Sequence, residues 1–540
     1  MKRKKVLCLA LSAALLIGAF SACAPTPQPA GSPQSNQGAA AEITTQQVTP
    51  ATTEPSAQQP ETNTYSNRAL IIATQFETPS IAPARHSSVA GGYKNALTHS
   101  GLFRVNHSDL EPVPNLVANW QAISDTMFEF TLHEGILFHN GEEMTAEDVV
   151  ASVYYVREFP EARASHGSIV GAEVVDRYTF RLDTGQPNAM LFFDLTLQGN
   201  FVMPASLIES GHDFTAEPIG SGPFVFEEWR HGDSLTFRAF ENYFDIPRAA
   251  KIEEITWRII PEGSSRVIAL EGGEVDFIVE VPSPDIPRLA ANPDIEIYTR
   301  TGTAHNFLLL NNDIEPFNNI HVRRAIDMAI DKEAMVMAGF DGRAIPTWAN
   351  MPLVFAGSSM EGARSFDPEA AAALLAEHNL DPSTLGFEIL APNEESRRTG
   401  EVVQANLADI GIPVTIAMID LAAWLTVTAS ENYEAAFGSF TASNILTFFR
   451  STSHIASIDG PNRSRMRNEE LTELIDRAIA TIDTTSRITI LEEASRMANE
   501  HVGFVPNYLS LVTRAFNSDL LIPEIAATGE MNLNMAYWRE

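Results

Sequence analysis

Trp424 and the run Phe440-Thr441-Ala442-Ser443-Asn444-Ile445-Leu446-Thr447-Phe448-Phe449-Arg450 gather aromatic faces, small polar groups and a cation. Such a set suits a ligand with an apolar part and a carboxylate, held by stacking and a charge-assisted hydrogen bond. The same residues also suit plain packing, with aromatics inside and an arginine outside. Trp348 and Asn350, close behind Arg343, form a second group of this kind, and Arg163 with His166 has the makings of an anion clamp. Tyr93 and His86 are further candidates. Covalent chemistry finds less support. There is no Gly-x-Ser-x-Gly elbow, no His-Glu-x-x-His, no phosphate loop and no Ser-x-x-Lys. The glutamate pairs Glu142-Glu143, Glu227-Glu228 and Glu253-Glu254 are adjacent, so in a strand their side chains point to opposite faces and cannot share a proton. The 13 histidines are scattered without a His-x-x-x-His pair. His454 is the best placed of them, and no resident metal or cofactor is expected.

Composition narrows the partners. The 69 acidic residues against 36 basic ones give a net charge of −33. This argues against nucleic acid and anionic lipid as binding surfaces. Basic residues are 30 Arg and 6 Lys, which favours planar, bidentate anion contacts where any are buried.

The elements that must position these groups are mixed. Period-two alternation predicts strands at 69–74, 127–132, 178–182, 235–240, 252–260 and 307–310. Thr145-Ala146-Glu147-Asp148 reads as a capping box, and Asp367-Pro368 opens an alanine-rich helix over 369–378. Three- and four-residue spacing predicts helices through Val322–Ile330 and Leu471–Ile482. No fixed internal period appears, so an α/β body of two or three domains is expected.

The amino terminus carries its own chemistry. Lys2, Arg3, Lys4 and Lys5 precede a 15-residue apolar run, 6–20, closed by Phe20-Ser21-Ala22-Cys23. This reads as a secretory signal over 1–22, its apolar run being shorter than the roughly 20 residues of a membrane span. The cysteine placement resembles a bacterial lipobox, with Cys23 becoming the lipidated first residue; an ordinary signal with an incidental cysteine and an uncleaved anchor are the alternatives. Residues 24–64 hold seven prolines and few apolar side chains. Such a segment cannot offset the entropy of ordering it and is expected to be a disordered tether reaching on the order of 35 Å. Loss of the signal leaves no thiol in the body, since Cys8 goes with it.

Several phrases, in order, resemble the family 5 extracytoplasmic solute-binding proteins of ABC importers for peptides, nickel and related solutes. They are Asn115-Leu116-Val117-Ala118-Asn119-Trp120, then Phe128-Glu129-Phe130-Thr131-Leu132-His133-Glu134-Gly135 through Asn140-Gly141 and Met144-Thr145-Ala146-Glu147-Asp148-Val149. Ile219-Gly220-Ser221-Gly222-Pro223-Phe224, Gly273-Glu274-Val275-Asp276, Val322-Arg323-Arg324-Ala325-Ile326, Ile330-Asp331-Lys332 and Asp409-Ile410-Gly411-Ile412 follow. Most of these are scaffold: Gly220, Gly222 and Pro223 read as a tight turn in which glycine supplies positive φ.

The resemblance implies a type II periplasmic-binding-protein-like α/β fold of two lobes with a domain inserted in the first. Lobe I would comprise 65–93, 172–303 and 508–540, the insert 94–171 and lobe II 304–507, with hinge strands near 300–306 and 504–509. It implies a peptide or similar small solute held in the cleft and passed to ABC permease and ATPase subunits on separate chains, by a monomer lipid-anchored outside the cell membrane. Peptide binders of the family place an aspartate on the ligand's amino group where this chain has Ser443, which supplies only a dipole. Asp420 and Glu395 are the carboxylates that could substitute. The cleft candidates are Tyr93, Arg163, His166, Trp348, Asn350, Trp424, Phe440, Ser443, Asn444 and Arg450. A nickel or metal-chelate binder and an oligosaccharide binder are alternatives within the family. A secreted hydrolase or an adhesive lipoprotein is the alternative of another class.

Overall fold

The computed structural model describes residues 65–85, 89–159, 167–430, 432–458, 460–523 and 525–539. The expected signal, Cys23, the linker, His86, Arg163 and His166 lie outside them.

Eleven strands form one sheet. From one edge they are Val414–Met418, Phe387–Ala391, Ala435–Thr441, Ile295–Leu310, Phe504–Asn517, Phe277–Ile278, Leu70–Thr74, Glu254–Ile259, Ser234–Ala239 and Phe224–Arg230. Ala344–Pro346 joins off this path, against Phe504–Asn517. The two central strands are the long ones, with 16 and 14 residues. Residues 295–301 of the first face 511–517 of the second, whereas His305–Leu309 face 504–509. Register is irregular between Thr301 and His305 and again between Asn306 and Phe307. Beyond that break the first strand turns its other edge to Ala435–Thr441. Before it, the second pairs with Phe277–Ile278. Each crossing strand thus belongs to one lobe at one end and to the other lobe at the other.

Local signals explain the elements. Met127–Leu132 buries Phe128, Phe130 and Leu132, alternate residues of one strand face. Asp367 accepts a hydrogen bond from Ala370 N and starts Pro368–Glu377, as its sequence predicts. Thr145 donates through both N and Oγ1 to Asp148 Oδ2 at the start of Ala146–Val156. In lobe II the strands Phe387–Ala391 and Val414–Met418 run parallel, and helices on both faces bury two separate apolar cores, around Leu308 and Ile326 and around Phe448 and Leu474. No described helix is long and apolar enough to cross a membrane.

Two sequence expectations change. The separate four-stranded sheet takes in Gly171–Val174 and Thr179–Asp183 beside Val117–Ala122 and Met127–Leu132, so the boundary expected at residue 171 falls inside a paired sheet. The reason is pairing: Met127–Leu132 needs a partner on its second edge, and Thr179–Asp183 supplies it. Gly220 and Gly222 are also not at positive φ. They are required by close approach, because a Cβ on Gly222 would lie 2.4 Å from Leu97 O and one on Gly220 2.3 Å from Thr98 O. The family phrases around residue 323 prove to be scaffold. Arg323 is buried and donates to Val502 O and Phe317 O. Lys332 is fully buried and pairs with Asp327 at 2.8 Å.

Candidate functional site

A cavity of about 790 Å³ opens at the carboxyl ends of the lobe II strands. Its floor is the broken stretch of the crossing strands: Asn306 and Phe307 on one, Asn507, Tyr508 and Ser510 on the other. One wall follows directly from strand ends, with Pro392, Asn393 and Glu395 after Phe387–Ala391, and Leu421 and Trp424 after Val414–Met418. Open α/β sheets place ligands at such carboxyl ends. The turns are short because Asn393 and Asp420 cap the next helices, accepting from Ser396 N and Ala423 N. Gly339, Phe340, Asp341 and Arg343 form the opposite wall, and Ser283 and Pro284 reach in from lobe I.

Much of the lining is polar. Asn306 Nδ2 donates to Ser510 Oγ at 2.9 Å, tying the two crossing strands at their irregular point. Arg343 Nη2 pairs with Asp341 Oδ2 at 2.9 Å, yet its Nε has no acceptor. Arg398 donates to Gly339 O at 2.8 Å and has no carboxylate partner among the described ion pairs. The Trp424 indole nitrogen also lacks an acceptor, while its ring has the Arg463 guanidinium 5.1 Å from its centre. Gly438 lies beside this ring, and a Cβ there would crowd Leu309 Cδ1 at 3.1 Å and Phe307 Cε2 at 3.3 Å. Burial pushes the Tyr508 phenol well above its ordinary value, and the nearby Glu395 carboxylate adds to the shift, so it stays a neutral hydrogen-bonding group.

Of the described residues among the ten cleft candidates, Trp424 lines this cavity and the others do not. Asn444 caps Ile445–Thr452, accepting from Thr447 N at 2.8 Å, and its Nδ2 donates to Ser443 Oγ at 3.2 Å. Phe440 packs edge-on against Phe448. Arg450 is exposed with Nη1 3.8 Å from Met190 Sδ. Asn350 is buried and its backbone N donates to Asn499 Oδ1, and Trp348 has the Lys332 ammonium 5.9 Å from its ring. Tyr93 stacks on Trp257 and lines a second, smaller cavity of about 80 Å³ with Arg248 and Glu530. Asp420 is committed to its cap, whereas Glu395 faces the main cavity. Asn306, Arg398 and Tyr508 were not singled out from sequence. A polar Asn306 within the apolar run before Leu308 was the available signal.

Two carboxyl groups outside the cavity hold protons near neutrality. Burial raises Asp194 to about 7, against opposing hydrogen bonds from Ser168 and the Arg450 charge, and raises Glu530 to about 7 against Arg248. Burial lowers His305 to about 4, so at neutral pH it is an uncharged imidazole bonded to Ala349 O. Among the described residues no group of three or more His, Cys, Asp or Glu is arranged to hold a metal ion.

The chain is similar to several solute-binding proteins. Heme-binding protein A of Haemophilus influenzae is 25% identical over 506 residues, spanning 83% of this chain and 88% of that protein. Di/tripeptide-binding protein 2 of Pseudomonas aeruginosa is 24% identical over 479 residues, 81% of this chain and 89% of its own length. The glutathione-binding protein GsiB of Salmonella typhimurium is 27% identical over 335 residues, 60% of this chain and 64% of that one. In three dimensions HbpA2 of Haemophilus parasuis superposes with a TM-score of 0.80 at 22% identity, covering 88% of this chain and 100% of that one. The unliganded open form of MppA, a periplasmic murein tripeptide-binding protein, gives 0.79 at 19%, covering 88% and 98%. At these identities the structural likeness is one of fold: two α/β lobes of the type II periplasmic-binding class. The family described as bacterial extracellular solute-binding proteins, family 5 Middle, matches residues 111–453, and this chain belongs to it.

Proposed function

We propose that this chain is the lipid-anchored receptor of an ABC importer, which captures a peptide or similar small solute by lobe closure and delivers it to a membrane permease on separate chains. The observation that carries the reading is a polar cavity at the hinge. Arg343, Arg398, Glu395 and Trp424 line a cavity that also takes in Asn306, Phe307 and Ser510 at the break in both crossing strands. A solute carboxylate or carbonyl that meets the Arg343 and Arg398 guanidinium groups gains charge-assisted hydrogen bonds. Asn306 and Ser510 lie where the strands lose register, so a solute resting there touches the place that must bend for the lobes to close. Glu395 takes over the amino-group role for which Ser443 has no charge. Relatives named for di- and tripeptides, glutathione and heme support a peptide-sized, acceptor-rich solute. Cys23 and the tether behind it support anchorage on the extracytoplasmic face.

Thermal unfolding of the purified protein against di- and tripeptides, glutathione, heme, oligosaccharides and nickel chelates tests this reading. A solute at 100 times its Kd adds about 2.7 kcal/mol of stability. Stabilisation by peptides or glutathione is the expected result. A response to sugars or metal chelates alone would replace the peptide reading, and hydrolysis of any compound would replace the receptor reading.

A further inference from the structure

Leu110, Ala189 and Phe193 precede the first crossing strand in sequence, yet all three are buried in the lobe II core around Phe448 and Leu474. The short helix Met190–Asp194 is shared between two cores. Leu191 and Phe192 belong to the core of the four-stranded sheet, the Phe192 ring lying 5.6 Å from that of Phe128, while Phe193 goes to lobe II. Polar groups reinforce the join: Ala189 N donates to Ile479 O at 2.6 Å, and Arg487 Nη2 pairs with Glu111 Oε2 at 3.2 Å. Leu110 stands at a φ of 63°, a left-handed conformation that leucine adopts only where its surroundings hold it. The lobe II core is what holds it. This contact and two of the cavity's helical walls lie on opposite faces of the lobe II sheet. Lys332–Phe340 and Glu394–Asp409, which carry the walls at Arg343 and Glu395, pack with the core around Leu308 and Ile326. Outside the crossing strands the cavity takes only Ser283 and Pro284 from lobe I, so lobe I does not cover it in this conformation. A rotation about the crossing strands that shuts the cavity side therefore draws the other side apart.

We infer that the contact of Leu110, Glu111, Ala189 and Phe193 with lobe II is a latch that holds the lobes open at the cavity and is released when they close on a solute. This rests on the receptor reading and adds what opposes closure. A solute must supply the free energy that the latch gives up. The latch therefore lowers the apparent affinity for every solute by one common factor and leaves the choice among solutes to the cavity.

Glu111→Ala removes the ion pair and leaves Arg487 bonded to Ile482 O and Thr484 Oγ1. The test is calorimetric titration of the purified full-length wild type and this variant with trialanine and with glutathione. Hydrogen exchange of residues 188–194 is followed in the wild type with and without a saturating probe. The variant is expected to bind about threefold more tightly, by the same factor for each probe that the wild type binds, as loss of a modest ion pair from the open state gives. The Ala189 amide, bonded to Ile479 O, is expected to exchange faster in the saturated protein. A contact kept through closure gives the reverse, a variant that binds no better and an amide that is protected further. Equal or weaker binding by the variant, or exchange at Ala189 that does not rise with the probe, would overturn the inference and leave the receptor reading standing. Binding of neither probe to either protein would count against the receptor reading, and the latch would fall with it.

Discussion

Trp424 combines two roles that can be separated by substitution. Its ring packs beside Gly438 and its Nε1 has no acceptor. Trp424→Ala should weaken peptide binding by at least about 1 kcal/mol, as loss of an aromatic anchor does. Trp424→Phe keeps most of the packing and removes the donor, so calorimetry should show a smaller loss with the melting temperature held. Equal binding by all three proteins would remove Trp424 from the site. Asp194 offers a pH test at the same scale. Its folded pKa, about 7, stands above the ordinary 3.8. Below pH 4 both states are protonated, whereas between 4 and 7 only the unfolded chain ionises, so rising pH costs stability by up to about 1.4 kcal/mol per unit. Glu530 acts in the same direction. His305 and His501, held down to about 4, act oppositely, adding stability as pH rises toward 6.5. Asp194→Asn isolates the first effect: the variant's melting temperature relative to wild type should climb from pH 4 to 7 and then level off. A difference independent of pH would show that Asp194 is ionised in the folded protein. Residue types alone exposed Trp424 and the doubt over Ser443. They did not expose Asn306 or Tyr508, because a side chain's place in a cavity depends on which strands meet across several hundred residues.

At the scale of elements, caps and alternation did most of the work. Asp367 before Pro368, Thr145 with Asp148, and the alternating Met127–Leu132 each specify their element locally, and all three were legible. Asn444 was misleading for the same reason: its cap role is local chemistry that resembles ligand chemistry in a sequence. The pairing of Met127–Leu132 with Thr179–Asp183, across the boundary expected at residue 171, was hidden because it joins residues about 50 positions apart, which no local pattern records. The Lys332–Asp327 pair tests how lobe II is held. Both side chains are almost wholly buried, and burial lowers the Lys332 pKa while Asp327 opposes the shift. Asp327→Ala strands that ammonium and should lower stability by about 3 kcal/mol or more in denaturant unfolding. A loss within about 0.5 kcal/mol would mean that water reaches Lys332.

For the whole molecule, the crossing strands decide what the fold can do. They carry two lobes on one sheet, and their register fails where the cavity floor lies. In the proposed function binding and bending would share the same few residues, as a receptor that closes on its solute requires. The family phrases made this architecture legible before any coordinates, since most of them are scaffold residues such as Gly222 and Arg323 whose role is to bring distant backbone together. The cargo was not legible, because it depends on a wall assembled from helix starts, a hinge and a loop. The most direct test is calorimetric titration of a di- and tripeptide pool into the wild-type protein and into Arg398→Ala. The account predicts saturable binding to the wild type, weakened about tenfold or more in the variant, the loss expected of a charged hydrogen bond. Saturable binding of equal strength to both proteins, or none to either, would contradict it.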